Sequence, residues 1–313
     1  MIEVFYFDKI LKKGDLKDLN KLKEEKIWID ITNISKEEAD LLKEKFNLHP
    51  LTAEDLINSP IRIKIEEFND YLFCAFYGIK KEKSIELQEL DFIIGKNFVI
   101  SNHKKELPTF TNLKNNPEKL KSLFEKGVDF IFHHLLDKEV DNFSPVLEYI
   151  DDQIETIEEE VTRKPKPELL QNILSIKRKI VFIKKYTLPQ REKISFLAKN
   201  EYKFISKKAI PYFRDIYDHA IRVSDSIENY RETTSGTFDA YMSAVSNNMN
   251  EVMKTLSIIA TIALPLGVIS GIYGTNFDIL PGQHFAYGFW AMLLGMSILI
   301  GIIIFFFKKR KWF

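Results

Sequence analysis

The chain has 313 residues, with 45 basic and 45 acidic side chains and so no net formal charge. That balance excludes a bulk field for polyanions, and no nucleic-acid partner is expected. A single cysteine, Cys74, excludes an internal disulfide framework and suits a reducing compartment.

Met1-Ile2-Glu3 lacks the basic and apolar regions of a signal peptide, so membrane insertion is expected to rest on later segments. The aromatic, alternating run Ile2–Asp8 predicts a strand, and Ile27–Ile31 a second. Ser35-Lys36-Glu37-Glu38 has the spacing of a capping box and opens a predicted helix to about Phe46. His49–Leu56 restarts a short helix, with Thr52 as its cap. Strand patterns follow at Ile61–Glu67, Tyr71–Ile79, Ile85–Ile94 and Phe98–Ser101, separated by turn residues at Asn69-Asp70 and Gly95-Lys96-Asn97. Residues 1–123 therefore read as an α/β domain with a mixed or antiparallel sheet.

From about Phe124 the apolar residues recur at helical spacing, through Phe130, Leu135, Val140, Val146, Ile150, Ile154 and Ile157. Pro145 is expected to kink this helix, and Arg163–Pro167 to end it. A second helix spans about Glu168–Lys199, with Pro189 as an expected break. The two make an antiparallel hairpin within residues 124–208.

Ile210–Tyr273 reads as one very long helix, part of a segment 209–273. Its first half carries a seam of residues alternately four and three apart, from Ile216 through Val223, Ile227, Thr234 and Thr237 to Asn248, which predicts side-by-side helix packing. Its second half, Thr255–Tyr273, has no charged residue. A polar turn occupies 274–284, and a second uncharged run, Phe285–Phe307, is long enough to cross a hydrocarbon core. Both runs read as membrane spans. Lys254 precedes the first, a basic tail (308–313) follows the second, and the turn between them has no Lys or Arg. The positive-inside rule places both termini in the cytoplasm and the turn outside. The first span is uneven: Asn250, Met253, Ser257, Ala260, Thr261, Leu264, Gly267 and Gly271 share one small, polar or flexible face. Such a face means either close helix approach or a pore lining.

Tyr273-Gly274-Thr275-Asn276-Phe277, directly after the first span, resembles the Tyr-Gly-Met-Asn-Phe loop of the CorA family of divalent-cation channels. Pro211–His219, Ser243–Lys254, Ile258–Ile262, the basic ending and His49–Asp55 also resemble that family, so the likeness covers essentially the whole chain. It implies an α+β cytosolic domain followed by long helices and two C-terminal transmembrane helices, assembled as a homopentameric funnel in the inner cell membrane. It implies a selectivity filter at Gly274, Thr275 and Asn276, with Asn276 as a ring of five carboxamides. It also implies a pore lining and gate at Asn250, Met253, Leu256, Thr261 and Leu264, and a regulatory magnesium site at Asp215 with Glu82 as a loosely aligned partner. The cargo it implies is hydrated magnesium, with cobalt and nickel as further permeants, driven inward by the membrane potential and restrained by cytosolic magnesium.

Thr275 replaces the usual Met of the motif, which keeps a zinc transporter of the same fold as an alternative. A membrane-anchored coiled-coil scaffold would also explain the rod and the spans, but it needs neither Asn276 nor the polar line. Adjacent His133 and His134 diverge by about 100° on a helix and cannot chelate together. Phosphate-binding Gly loops, metalloprotease helices, Gly-x-Ser-x-Gly turns and paired Cys motifs are absent, and no enzyme is expected.

Overall fold

The computed structural model describes residues 1–14, 25–58, 62–81, 84–163, 165–277, 280–282, 284–310 and 312. It divides into two compact units: Met1–Glu160 with Lys166–Phe238, and Asp239–Phe313 with Val161–Pro165.

The first unit is built on a seven-stranded sheet of β1 (Ile2–Phe7), β2 (Leu11–Gly14), β3 (Lys26–Thr32), β4 (Lys64–Glu67), β5 (Tyr71–Lys81), β6 (Ile85–Gly95) and β7 (Phe98–His103). The strand order is β2-β1-β3-β7-β6-β5-β4, antiparallel throughout except for the parallel pair β3·β7. Between β3 and β4 come α1 (Lys36–Phe46) and α2 (Pro50–Asn58). The capping box is formed: Glu38 N–H donates to Ser35 Oγ at 3.2 Å, and Ser35 N–H to Glu38 Oε2 at 2.8 Å. Thr52 is not a cap. It lies inside α2, buried, with its hydroxyl 2.8 Å from the Tyr71 hydroxyl.

Both faces of the sheet are covered, which is why β5 is apolar along nearly its whole length. Tyr71, Phe73 and Ala75 join Leu42 and Leu56 of α1 and α2 in one core layer. Leu72, Cys74 and Phe76, the alternate residues, join the other layer. That second layer is made by α3 (Pro108–Lys114), α4 (Pro117–Lys126), α5 (Val128–Asp141) and parts of α7 (Pro167–Lys199) and α8 (Ile210–Tyr273), through Phe110, Phe124, Phe132, Leu135, Ile194, Phe213 and Ile216. A buried polar knot adds a tie under β3 and β7: Asp30 accepts from Ser101 Oγ at 2.6 Å and pairs with Lys114 at 3.0 Å, and Lys114 also reaches Glu3 at 2.6 Å.

The helical interruption falls before Pro145 rather than at it. α5 ends at Asp141, and α6 (Phe143–Arg163) carries the proline in its first turn, where a missing N–H is harmless. Pro189 leaves α7 unbroken. The next residue, Gln190, and then Ile194 and Leu197 are buried and hold the helix in place.

In α8 the predicted seam is buried at Ile216, Ala220, Val223, Ile227, Thr234 and Thr237. Thr237 Oγ1 donates to Glu158 of α6 at 2.9 Å, so one polar position of the lower seam is matched by a hydrogen bond across the helices, while the buried Thr234 hydroxyl is not. The second unit holds the rest of α8 and α9 (Gly288–Lys309). Both helices are long and apolar enough to cross a membrane, and almost none of their apolar stretch is buried within the chain.

Candidate ion pathway and metal cluster

Two threonine hydroxyls of the first span turn back on the helix itself. Thr261 Oγ1 donates to Ser257 O at 2.7 Å, and Thr255 Oγ1 to Glu251 O at 3.0 Å. The polar side chains are thereby tolerable in an apolar setting. Around the axis, Asn250, Met253, Thr261 and Leu264 fall within about 80° of one another, and Leu256 lies about 60° beyond Met253. All five are exposed in the single chain, Met253 at 54%, Leu256 at 57% and Leu264 at 68%. Large apolar side chains this bare need lipid or another subunit to cover them.

The signature residues sit at the end of α8. Gly274 N–H donates to Ser270 O at 2.9 Å, and Thr275 Oγ1 to Ile272 O at 2.7 Å, so the threonine hydroxyl satisfies an end carbonyl of the helix. Gly274 is not in the left-handed region; a Cβ there would lie 3.1 Å from Ser270 O, so crowding rather than φ favours glycine. Tyr273 Oη donates to Pro281 O at 3.2 Å and holds the loop to the helix end. Asn276 is exposed beyond the last turn. A cavity of about 630 Å³ opens beside Thr275, walled by Tyr273, Pro281, Phe289, Met292 and Met296. At the far end of α9, Trp312 stacks on Phe307 with ring centroids 5.3 Å apart.

The first unit carries a separate cluster. α5 presents Asp137 and Asp141, and α8 presents His219; one ligand atom from each lies within 4.8 Å of the others. His219 Nδ1 is 2.9 Å from Asp141 Oδ1, and its Nε2 is 3.9 Å from the exposed Asp215 carboxylate. Burial pushes the Asp137 carboxyl up, and the neighbouring Asp141 adds to that. Burial acts on Asp141 in the same sense, but hydrogen bonds from Lys138 and His219 outweigh it and hold its carboxyl below the ordinary range. Lys138 lies 2.8 Å from Asp141, a cation already answering part of this charge. Two carboxylates and an imidazole suit cobalt, nickel or zinc at least as well as magnesium.

Asp215 was expected from the sequence in a metal site between subunits; here it lies beside this cluster, 3.9 Å from His219, and is not one of its three members, none of which was expected. The signal was present as two i, i+4 pairs, Asp137/Asp141 and Asp215/His219, each placing two donors on one helix face. Glu82, the expected partner of Asp215, lies outside the described residues. His133 turns its Nε2 to Tyr212 O at 3.2 Å and takes no part in the cluster.

A family described as "CorA-like Mg2+ transporter protein" matches residues 23–309. The chain is 37% identical to the cobalt/magnesium transport protein CorA of Thermotoga maritima over 91% of this chain and 83% of that one. It is 31% identical to the putative metal ion transporter YfjQ of Bacillus subtilis over 91% and 89% of the two chains. Its fold matches the complete CorA magnesium transporter of Methanocaldococcus jannaschii with a TM-score of 0.87, covering 100% of this chain and 99% of that one at 23% identity. The chain therefore belongs to the CorA-like Mg2+ transporter family: it is a two-span membrane protein of the divalent-cation transporters, not an enzyme.

Proposed function

We propose that the chain is one subunit of a homopentameric inner-membrane channel admitting hydrated magnesium, and also cobalt and nickel. In this reading residues 209–273 form the stalk and pore helix, 274–284 the outer loop, and 285–307 the lipid-facing span. Residues 1–123 and 124–208 form the cytosolic domain and its helical hairpin, and 308–313 a cytoplasmic tail. The observation that carries the reading is Gly274-Thr275-Asn276 at the end of an apolar helix whose polar face is bare.

The chemistry follows from the donors. Magnesium releases its waters reluctantly. A ring of neutral Asn276 carboxamides accepts hydrogen bonds from that water shell without the tight grip of carboxylates, and conduction requires such moderate binding. Below it, rings of Leu264 and Met253 close the path by dewetting, and their flexible side chains yield to a small helix rotation. The membrane potential supplies about 4.6 kcal/mol for two charges at 100 mV. Regulation runs through Asp215: a cytosolic cation between acidic groups of adjacent subunits, with Glu82 as the opposing carboxylate, holds the closed state, and its loss leaves like charges facing each other.

The deciding experiment is metal uptake into proteoliposomes, comparing magnesium with zinc for the wild type and Asn276→Ala. Magnesium uptake that falls at least tenfold in the variant supports the reading. Undiminished uptake in the variant, or a wild type that carries zinc but not magnesium, defeats it.

A further inference from the structure

The sheet face beneath α1 and α2 carries a polar pair in an apolar row. Across four neighbouring strands the row runs Ala75, Asp91, Asn102, Ile31, each opposite the next in register. Ala75 and Ile31 belong to the core layer of that face, so the two polar residues lie in apolar company. Asp91 is 2% exposed and Asn102 5%. Neither has a part in the ion pathway or in the cluster around His219.

Donors and acceptors in this pair do not balance. The Asn102 carboxamide uses both of its N–H groups: Nδ2 donates to Asp91 Oδ2 at 2.9 Å and to Leu56 O, in the last turn of α2, at 3.1 Å. Asp91 Oδ1 and Asn102 Oδ1 are buried and have no hydrogen-bond partner. If the acid is ionised, both are acceptors, and an unmet buried acceptor is costly. A single proton on Asp91 Oδ1 turns the mismatch into a match. The acid O–H then donates to the amide oxygen while the amide N–H donates to the other carboxyl oxygen, as the inventory of the two groups allows.

The surrounding charges favour that proton. Glu89 precedes Asp91 by two residues on the same face of β6, and Asp55 of α2 also faces it. Lys64 of β4 is nearby, but it is engaged by Asp55 and Glu66. Tyr77 of β5 is a phenol hydrogen-bonded to Glu89 and brings no positive charge. The last turn of α2 presents the negative end of a helix dipole. Burial above all, and then Glu89, push the Asp91 carboxyl well above the ordinary 3.8.

We propose that Asp91 is a protonated carboxylic acid at neutral pH, joined to Asn102 by two antiparallel hydrogen bonds, and that this pair is a proton-operated latch holding α2 on the sheet. Asn102 carries the latch to α2 through Leu56 O. Alkaline solution takes the proton away, and a bare carboxylate then faces the amide oxygen, Glu89 and Asp55. Because the folded carboxyl is raised, the latch's contribution is whole in acid and is lost as the pH rises through the folded acid's titration. The latch lies in the soluble unit and holds whether or not the pore works as proposed.

Infrared difference spectroscopy on the full-length protein at pH 7 tests the protonation. Wild type minus Asp91→Asn is expected to show the C=O stretch of one carboxylic acid. A difference confined to the carboxylate bands overturns the proposal. Asn102→Leu tests the pairing, and serves alone where the asparagine variant folds poorly: its acid band should move to higher frequency, and a band that stays in place overturns the pairing. Hydrogen exchange, corrected for the intrinsic effect of pH, tests the latch. Opening of the α2 amides is expected to rise at least tenfold from pH 7 to 10 in the wild type and to stay within twofold in Asp91→Asn, whose new carboxamide donates to Asn102 Oδ1 at any pH. An equal rise in both proteins, or none in the wild type, overturns the latch.

Discussion

Gln190 of α7 makes both of its hydrogen bonds to the backbone of one residue, Tyr77 of β5: Tyr77 N–H donates to Gln190 Oε1 at 2.8 Å, and Gln190 Nε2 donates to Tyr77 O at 3.1 Å. The pairing of β4 with β5 stops at Ala75, so at Tyr77 the outer edge of the sheet has no strand beside it. A side-chain amide takes the place of that strand. The same contact fixes α7 just past Pro189, where the helix lacks an internal hydrogen bond. Gln190→Ala orphans two buried backbone groups and is expected to destabilise the soluble unit by about 2–4 kcal/mol. Chemical denaturation with hydrogen exchange checks this: protection at the Tyr77 amide should fall far more than at β7. Unchanged protection there would show that the bidentate contact is not what holds the edge.

The gate reading makes a claim about Leu264, which is 68% exposed in the single chain. A side chain this exposed contributes little to the fold of one subunit, so its replacement tests the assembled ring rather than folding. Leu264→Asn is expected to wet the proposed constriction and to raise magnesium uptake several-fold at high cytosolic magnesium, the condition under which the proposed gate closes. Uptake equal to wild type under those conditions would remove Leu264 from the gate.

The proposed regulation by metal assigns different parts to two donors that lie close together. Asp215→Lys is expected to abolish the dependence of flux on cytosolic magnesium, because a cation no longer has a carboxylate to bind. His219 lies 3.9 Å from Asp215 and 2.9 Å from Asp141, and it offers nitrogen, which cobalt accepts and magnesium largely declines. His219→Ala should therefore weaken inhibition by cobalt by about tenfold and leave that by magnesium nearly unchanged. Flux measured against both ions on the cytosolic side decides the matter; equal losses for the two ions would make His219 a structural partner of Asp141 only.

Which parts of this molecule could be read from the chain depends on how local their causes are. The capping box at Ser35 and Glu38, the apolar run of β5 and the length of α8 follow from residues within a few turns of each other, and each appears as expected. Helices α3 and α4 were not expected, although Pro108 and Pro117 stand at their first positions with Asn116 capping the second; both are short and their apolar residues few. Thr52 has the chemistry of a cap, but a tyrosine hydroxyl nineteen residues away claims it. The parallel pairing of β3 with β7 and the meeting of Asp137 and Asp141 with His219 join distant stretches of chain, and no local pattern announces them. Gly274–Asn276 follows directly on the end of α8, as its place in the sequence between two apolar runs implied.

Acid should act on the soluble unit well before its ion-paired carboxylates are protonated. Burial, together with the nearby Lys119 and Lys138, pulls His134 down from the ordinary 6.5 to about 4, and burial lowers His133 as well. Both rings are therefore neutral in the fold at pH 7, whereas in the unfolded chain they take up protons near 6.5. Between 6.5 and about 4 the unfolded state binds more protons, so stability is full above 6.5 and declines as the pH falls through that window. For one proton the slope cannot exceed about 1.4 kcal/mol per pH unit, and screening of the half-exposed His134 ring keeps it lower. Asp141 acts elsewhere: its folded carboxyl lies below the ordinary 3.8, so its contribution is lost only beneath that value. Thermal melts of wild type and His134→Gln from pH 7 to 4.5 test the separation. The variant should melt with a visibly flatter pH dependence over this range, while both proteins share the same further loss below about 3.8. Parallel curves from 7 to 4.5 would mean that the His134 ring is as well solvated in the fold as in the unfolded chain.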